Sequence, residues 1–213
     1  PTFRPALTTP PLAIAQEPTG SILIAGGFTQ VSGLPHHHLA RLTREGTADP
    51  GFRPDFDALV YSVALQVDGR ILVGGAFTQV NGHPQSGIAR LLPDGSLDPA
   101  NPEGINGTGY VVTLDARGNI LTGGSFYRVG SQTEYRFNLI RFSNDTSPQE
   151  ALTVRSQAVQ WHRDGGLPEC WRTTLERLEE GANWRLLASG SRIAGGWAFA
   201  GPAIPDGSSL RLR

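Results

Sequence analysis

The sequence predicts an all-β chain, and three observations carry that reading. The stretch Ile71–Gly82 (ILVGGAFTQVNG) has a near-copy at Ile22–Gly33 and a looser one at Ile120–Ser131, spaced 71 − 22 = 49 and 120 − 71 = 49 residues apart. A fixed period of roughly 20–50 residues marks a repeat architecture. Within each period, short alternating apolar runs are separated by Asp-Gly pairs and by loops containing Gly and Pro, the pattern of strands and hairpins.

The second copy is the clearest. Residues 61–67 place Val63, Leu65 and Val67 on one face of a first strand. Asp68-Gly69 signals a two-residue hairpin, because Asp and Gly tolerate the positive φ of a primed turn. Residues 70–80 make a second strand, whose Gly74 and Gly75 mark close approach of a neighbouring backbone. Residues 81–87 form a loop with Gly82 and Pro84, and residues 87–92 a third strand. Asp94-Gly95 turns the chain into a short fourth strand at 96–98. Four antiparallel strands per copy predict a β-propeller blade; a solenoid, which stacks helices or strands of one sense, fits two Asp-Gly hairpins per copy less well.

The other copies follow the same template. Phe3-Arg4-Pro5 matches Phe52-Arg53-Pro54 (52 − 3 = 49), so the chain opens inside a repeat. Arg141 stands 141 − 90 = 51 residues after Arg90, which puts a two-residue insertion near 131–138. The expected organisation is three blades over residues 1–145 (repeats about 3–52, 52–101 and 102–145). Closed propellers have 4–8 blades, so further copies before Pro1, or a second chain, are expected to complete the ring.

The runs Asp68-Gly-Arg-Ile-Leu-Val-Gly-Gly75, Phe77-Thr78, Val80-Asn-Gly82, Ile88-Ala-Arg-Leu91 and Asp94-Gly-Ser-Leu-Asp98 resemble the delta-60 repeat family of bacterial β-propeller repeats. The resemblance spans about Phe3 to Phe142. It loosens in the third copy, where Asp68-Gly69 becomes Arg117-Gly118 and the Asp94–Asp98 run becomes Ser143–Ser147. It implies architecture and carries no activity or site to transfer.

Composition shifts after about residue 145. All four Trp (161, 171, 184, 197) lie beyond it. Strands are expected at 158–163, 170–178, 183–188, 192–199 (interrupted by Gly195-Gly196) and 209–213. That makes residues 150–213 a small β-sandwich of fibronectin or immunoglobulin type, which also looks like the tail following the repeats in delta-60 proteins. A helix at 169–180 is the alternative, since Trp171, Leu175 and Leu178 fit i, i+4, i+7; Pro168 and Thr173-Thr174 favour strand. The tryptophans offer either a sugar-stacking platform or, for at least two of them, a core.

Composition excludes several function classes. The net charge of −1 leaves no basic footprint for nucleic acid, and no apolar run approaches the roughly 20 residues of a membrane helix. The absence of Met points to a piece of a longer protein. With no Lys, all 18 basic residues are Arg, as in a GC-rich, bacterial genome. The single Cys170 permits no internal disulfide and reads as an inert thiol. G-x-S-x-G, P-loop, H-E-x-x-H and EF-hand patterns are missing. Neither an enzyme nor a cofactor is expected.

Function then falls to loops on a rigid scaffold. Alternating strand direction puts both Asp-Gly hairpins on one rim and the 81–87 and 52–59 loops on the other. That second rim carries the candidate ligand-binding residues His36, His37, His83, Asp55, Asp57 and Tyr135, beside His38 and Glu134. His36, His38 and His83 are candidate metal ligands, although consecutive histidines on an extended loop point in different directions. Arg41, Arg90 and Arg141 recur once per copy, as an anion-binding ring or as structural partners of Asp49 and Asp98, since buried charges are normally paired. The expected function is a non-enzymatic binding or structural module of a larger exported bacterial repeat protein at the cell surface. Its expected partners are protein or carbohydrate at the propeller rim. A lectin-like or metal-assisted binder using the histidine rim is the alternative. Neither nucleic-acid binding nor membrane insertion is expected.

Overall fold

The computed structural model describes residues 3–131, 135–144, 149–155, 158–165, 167–170, 172–179, 183–193, 195–201, 204–205 and 207–213. Every helix or strand among them is a strand, so the helix alternative at 169–180 is replaced by a strand at 174–178. Among the described residues no helix is long and apolar enough to cross a membrane.

Each copy of the period folds into one antiparallel sheet, and the first two copies each add one small ribbon. The first has β1 (Pro11–Gln16), β2 (Ile22–Gly26), a ribbon of β3 (Gln30–Val31) and β4 (Leu34–Pro35), and β5 (Leu39–Leu42). The second has β6 (Val60–Leu65), β7 (Ile71–Gly75), a ribbon of β8 (Gln79–Val80) and β9 (His83–Pro84), and β10 (Ile88–Leu91). The third has β11 (Thr108–Leu114), β12 (Ile120–Ser125) and β13 (Leu139–Phe142). The sheet orders β1-β2-β5, β6-β7-β10 and β11-β12-β13 are the same arrangement three times.

These sheets have three strands, where four were expected. A single bridge, Leu42↔Ala48 or Leu91↔Leu97, holds the place of the fourth. The cause is local: Pro50 and Pro99 follow Asp49 and Asp98 at once, and proline has no N–H to continue a ladder. The hairpins also differ from expectation. Around Asp68-Gly69 only Gly69 has positive φ, at 84°. Gln66 N donates to Arg70 O at 2.9 Å and Gly69 N to Gln66 O at 3.0 Å. The loop therefore has three residues and ends in a left-handed glycine. Asp68 caps it by accepting from Arg70 N at 3.0 Å, a side-chain turn that needs no positive φ at Asp.

The second strands of the first two repeats, β2 and β7, are continuous apolar runs in which nearly every residue is buried. Ile71 and Val73 join one core with Leu23, Ala25 and Leu39 of the first repeat, while Leu72 joins another with Ile105, Val112 and Ile120 of the third. The paired glycines mark the close approach they predicted: a Cβ on Gly75 would collide with Leu59 O, and one on Gly74 would meet Gly109 O of the third repeat at 3.0 Å.

Arginines fasten the repeats, as the structural reading of Arg41 and Arg90 anticipated. Arg90 is 1% exposed and donates through Nε to Asp98 Oδ2 at 2.8 Å. The same carboxylate oxygen accepts from Arg70 Nε at 2.8 Å. Arg41 pairs with Glu17 at 2.7 Å and, more loosely, with Asp49 at 3.6 Å. Arg41 also crosses to the next repeat to reach Pro93 O at 2.7 Å, as Arg90 crosses to Asn144 Oδ1 at 2.9 Å.

Beyond residue 148 two antiparallel sheets share one core. The first, ordered β14-β15-β19-β18, comprises β14 (Gln149–Arg155), β15 (Ala158–Asp164), β18 (Ser191–Ile193) and β19 (Gly196–Ala200). The second, β17-β16-β20, comprises β16 (Thr174–Leu178), β17 (Trp184–Ser189) and β20 (Leu210–Leu212). The stretch 192–199, expected as one interrupted strand, is a hairpin, because Gly195 and Gly196 both adopt positive φ. Val159, Leu175, Trp197 and Phe199 form the buried centre, with Trp161 packed against it. Trp184 stacks under Arg211 at 4.3 Å, and Trp171 lies outside the described residues. Cys170 is half-buried, its Sγ accepting from Arg163 Nη1 at 3.1 Å. This unit docks on the second repeat's first hairpin by strand addition: Val67 N donates to Leu167 O at 2.8 Å, and Gln66 bridges Pro168.

Candidate functional site

The histidine-bearing loops are held by a backbone device that recurs in all three repeats. Leu7, Phe56 and Ile105 bridge Val31, Val80 and Val129. The residue after each valine is left-handed: Ser32 at 50°, Asn81 at 53°, Gly130 at 49°. Its N–H donates back to Ala6 O, Asp55 O and Gly104 O respectively. A side-chain cap sits at a fixed offset. Asp57 Oδ1 accepts from Thr78 N at 2.8 Å and Gln79 N at 3.0 Å. Thr8 and Asn106 occupy the matching positions and accept from Thr29 N and from Tyr127 N and Arg128 N. Burial pushes the Asp57 carboxyl upward, but the hydrogen bonds from Thr78 and Gln79 outweigh it and hold it below the ordinary carboxylate range. The structure therefore employs Asp57 in holding the loop.

The ribbons also bend. Asn81 Nδ2 donates to Gly95 O at 3.1 Å. That contact puts the second repeat's ribbon beside the second turn of the same repeat, two features that strand direction alone sends to opposite ends. Bridging between Phe56 and Val80 pulls the ribbon onto its own sheet, which strand direction alone does not reveal.

The three adjacent histidines diverge. His36 is 2% exposed, and neither ring nitrogen has a hydrogen-bond partner among the described residues. His37 points outward and its Nδ1 lies 2.6 Å from Asp55 Oδ1. His38 is half-buried at a left-handed φ of 69°, its Nδ1 3.1 Å from Gly26 O. The equivalent residues, Gly87 and Asn138, have φ of 72° and 62°, so the position demands this backbone in every repeat. His83 lies exposed on β9. Among the described residues no three His, Cys, Asp or Glu side chains gather as a metal site; Glu134 lies outside them.

Both inner histidines are held neutral. Burial first, then Arg53, lowers the His36 pKa from its ordinary 6.5, against the opposing pull of Asp49. Burial also lowers that of His38, against its hydrogen bond to Gly26 O. Between pH 6.5 and these lower values the unfolded chain binds more protons than the folded one. Stability is then complete above about pH 6.5 and falls as pH drops. At the position of His36 the second repeat has Gln85, whose Nε2 donates to Ile88 O at 2.5 Å and Pro102 O at 3.2 Å. His36→Gln is expected to stabilise the protein by about 1 kcal/mol at pH 7.5, because an unpaired buried polar group costs about 1–3 kcal/mol. The gain should widen at pH 5.5. Urea titrations at both pH values check this; an equal or less stable variant at pH 5.5 contradicts it.

Tyr135 does not stand alone. Its ring stacks on Phe137 at 5.9 Å and 13°, and lies 6.0 Å from Tyr127. All three are about half exposed or more. Tyr127 and Phe137 escaped the sequence reading. Their signal was present: they replace Thr78 and Ser86 of the second repeat, polar positions turned aromatic in the third alone. The site thus contains an exposed His37–Asp55 pair on the first and second repeats and an aromatic cluster on the third.

A family model described as "Domain of unknown function (DUF5122) beta-propeller" matches residues 17–52 and 66–100. No curated protein and no solved structure matches the chain. The two matched segments fall in the first two copies of the 49-residue period, each running from the first hairpin to the end of the repeat. The all-β chain therefore carries repeats of a β-propeller family.

Proposed function

We propose that the chain is a non-enzymatic scaffold and binding module of a larger exported bacterial repeat protein. In this reading residues 1–145 are three propeller blades of the delta-60 type, and residues 150–213 are a small β-sandwich of fibronectin or immunoglobulin type that docks on them. The observation that carries the reading is how the polar groups are used. Asp57, Asn81 and Asn106 hold loops, Arg41, Arg70 and Arg90 fasten strands and repeats, and His36 is buried. Such use fits a molecule whose task is to keep a surface rigid.

A second reading, carbohydrate or peptide binding at the loop surface, is favoured by the exposed Tyr127–Tyr135–Phe137 cluster. Exposed aromatic faces offer apolar area at low conformational cost. A glycan array probed with the chain and with Tyr135→Ala separates the two. Uniform silence supports the scaffold; a signal lost in Tyr135→Ala supports the binder. Zinc calorimetry at neutral pH tests the metal-assisted variant, which absence of heat overturns.

A further inference from the structure

The two joints between repeats use the same positions, and the third repeat displays those positions uncovered. Leu39 and Ile88 are fully buried at the joints; their counterpart Leu139 is 68% exposed. Beside it Val111 is 55% exposed, and Leu121 is half-buried where Leu23 and Leu72 are fully buried. Arg41 and Arg90 reach across their joints to one acceptor position, Pro93 O and then Asn144 Oδ1, 144 − 93 = 51 residues later. Arg141 occupies the same place, exposed, and among the described residues no further repeat receives it: after Phe142 the next strand, β14, pairs with β15 in a different sheet.

The opposite face is bare on the first repeat. Val112 is 3% exposed where it packs against the second repeat, and Val63 is half-buried against the first. Their counterpart Ile14 is 65% exposed. Arg44 lies at the position of Pro93 and Asn144, which receive the crossing arginines at the two internal joints. One chain thus carries both halves of a joint that it makes twice internally.

We propose that the Val111–Leu139–Arg141 face is a docking surface for the Ile14 face of a second copy of this chain, so that two three-sheet arcs close one six-sheet ring. Head-to-tail contacts close when their rotation does, and six lies within the 4–8 blades of propellers. The proposal rests on reading the repeats as propeller blades.

Sedimentation equilibrium of the full chain, up to about 100 μM, tests it. The expected species is 2 × 22.8 = 45.6 kDa. Ile14→Arg and Leu139→Arg each replace an exposed side chain, so both variants fold. Each is expected to weaken self-association at least about 30-fold, the effect of losing a central apolar anchor. Mixed one to one, they recover the 45.6 kDa species in part, because a mixed pair has one joint with both faces intact and one with both faces substituted. A monomeric parent protein, a dimer indifferent to both substitutions, or a mixture that stays monomeric overturns the docking surface. Small-angle scattering of the monomeric variants reads the radial arrangement of the three sheets separately, so failure of the blade reading is distinguishable.

Discussion

Asp98→Ala is expected to cost about 3–5 kcal/mol of folding stability, the range for removing one partner of a buried ion pair. The carboxylate is 4% exposed, and its Oδ2 accepts from both Arg70 Nε and Arg90 Nε at 2.8 Å. Its Oδ1 accepts from Ala100 N at 2.9 Å, which fixes the link into the third repeat. Deleting it leaves the Arg90 guanidinium, 1% exposed, without a countercharge. Arg90 retains its bond to Asn144, so the loss should not exceed this range. The same change one repeat earlier, Asp49→Ala, is expected to cost under about 1 kcal/mol. Arg41 there lies 3.6 Å from Asp49 and keeps Glu17 at 2.7 Å. Urea titration at pH 7 measures both, and equal costs would contradict the argument. The pH dependence has a defined sign. Burial raises the Asp98 pKa, but Ala100 N–H, Arg90 and Arg70 outweigh it and hold the group below its ordinary 3.8. Its contribution is present above that value and is lost as pH falls through the lower folded one. The acid arm of the parent protein should therefore be shallower in Asp98→Ala.

Phe77→Ala is expected to cost about 3–5 kcal/mol, through lost burial and the cavity left behind. The ring is fully buried in the core between the first two repeats and meets Phe56 edge-on at 4.9 Å. Phe56 is itself pinned by its bridge to Val80, so the neighbours have little freedom to collapse inward. Phe126→Ala, at the same position one repeat later, should cost less. Its sheet has an open outer face at Leu139 and can relax into the gap. Urea titration reads the order, and Phe126→Ala costing more would oppose it.

Much of the fold was legible because the period repeats the same physics three times. Alternating apolar residues and the glycines of each hairpin located the strands, and Gly74-Gly75 announced the close approach to neighbouring backbones. The details missed were those in which a residue answers to its partner. Asp68-Gly69 suits two kinds of hairpin, and the Asp68 bond to Arg70 N selects the three-residue loop. Leu97 reads as a strand residue, yet Pro99 leaves it one bridge. At the candidate site, the histidine triplet and Asp55 were visible as residue types. That His36 is buried, His37 meets Asp55 and Asp57 caps a loop depends on groups some 18–22 positions away.

The sequence by itself determined the all-β class, the 49-residue period and the location of most strands and turns, because periodicity and turn chemistry are local properties of the chain. Tertiary structure alone decided which charged groups are spent on holding the repeats together and which remain at the surface. Hydrogen bonding and desolvation depend on what lies across a joint, and a neighbour across a joint is distant in sequence.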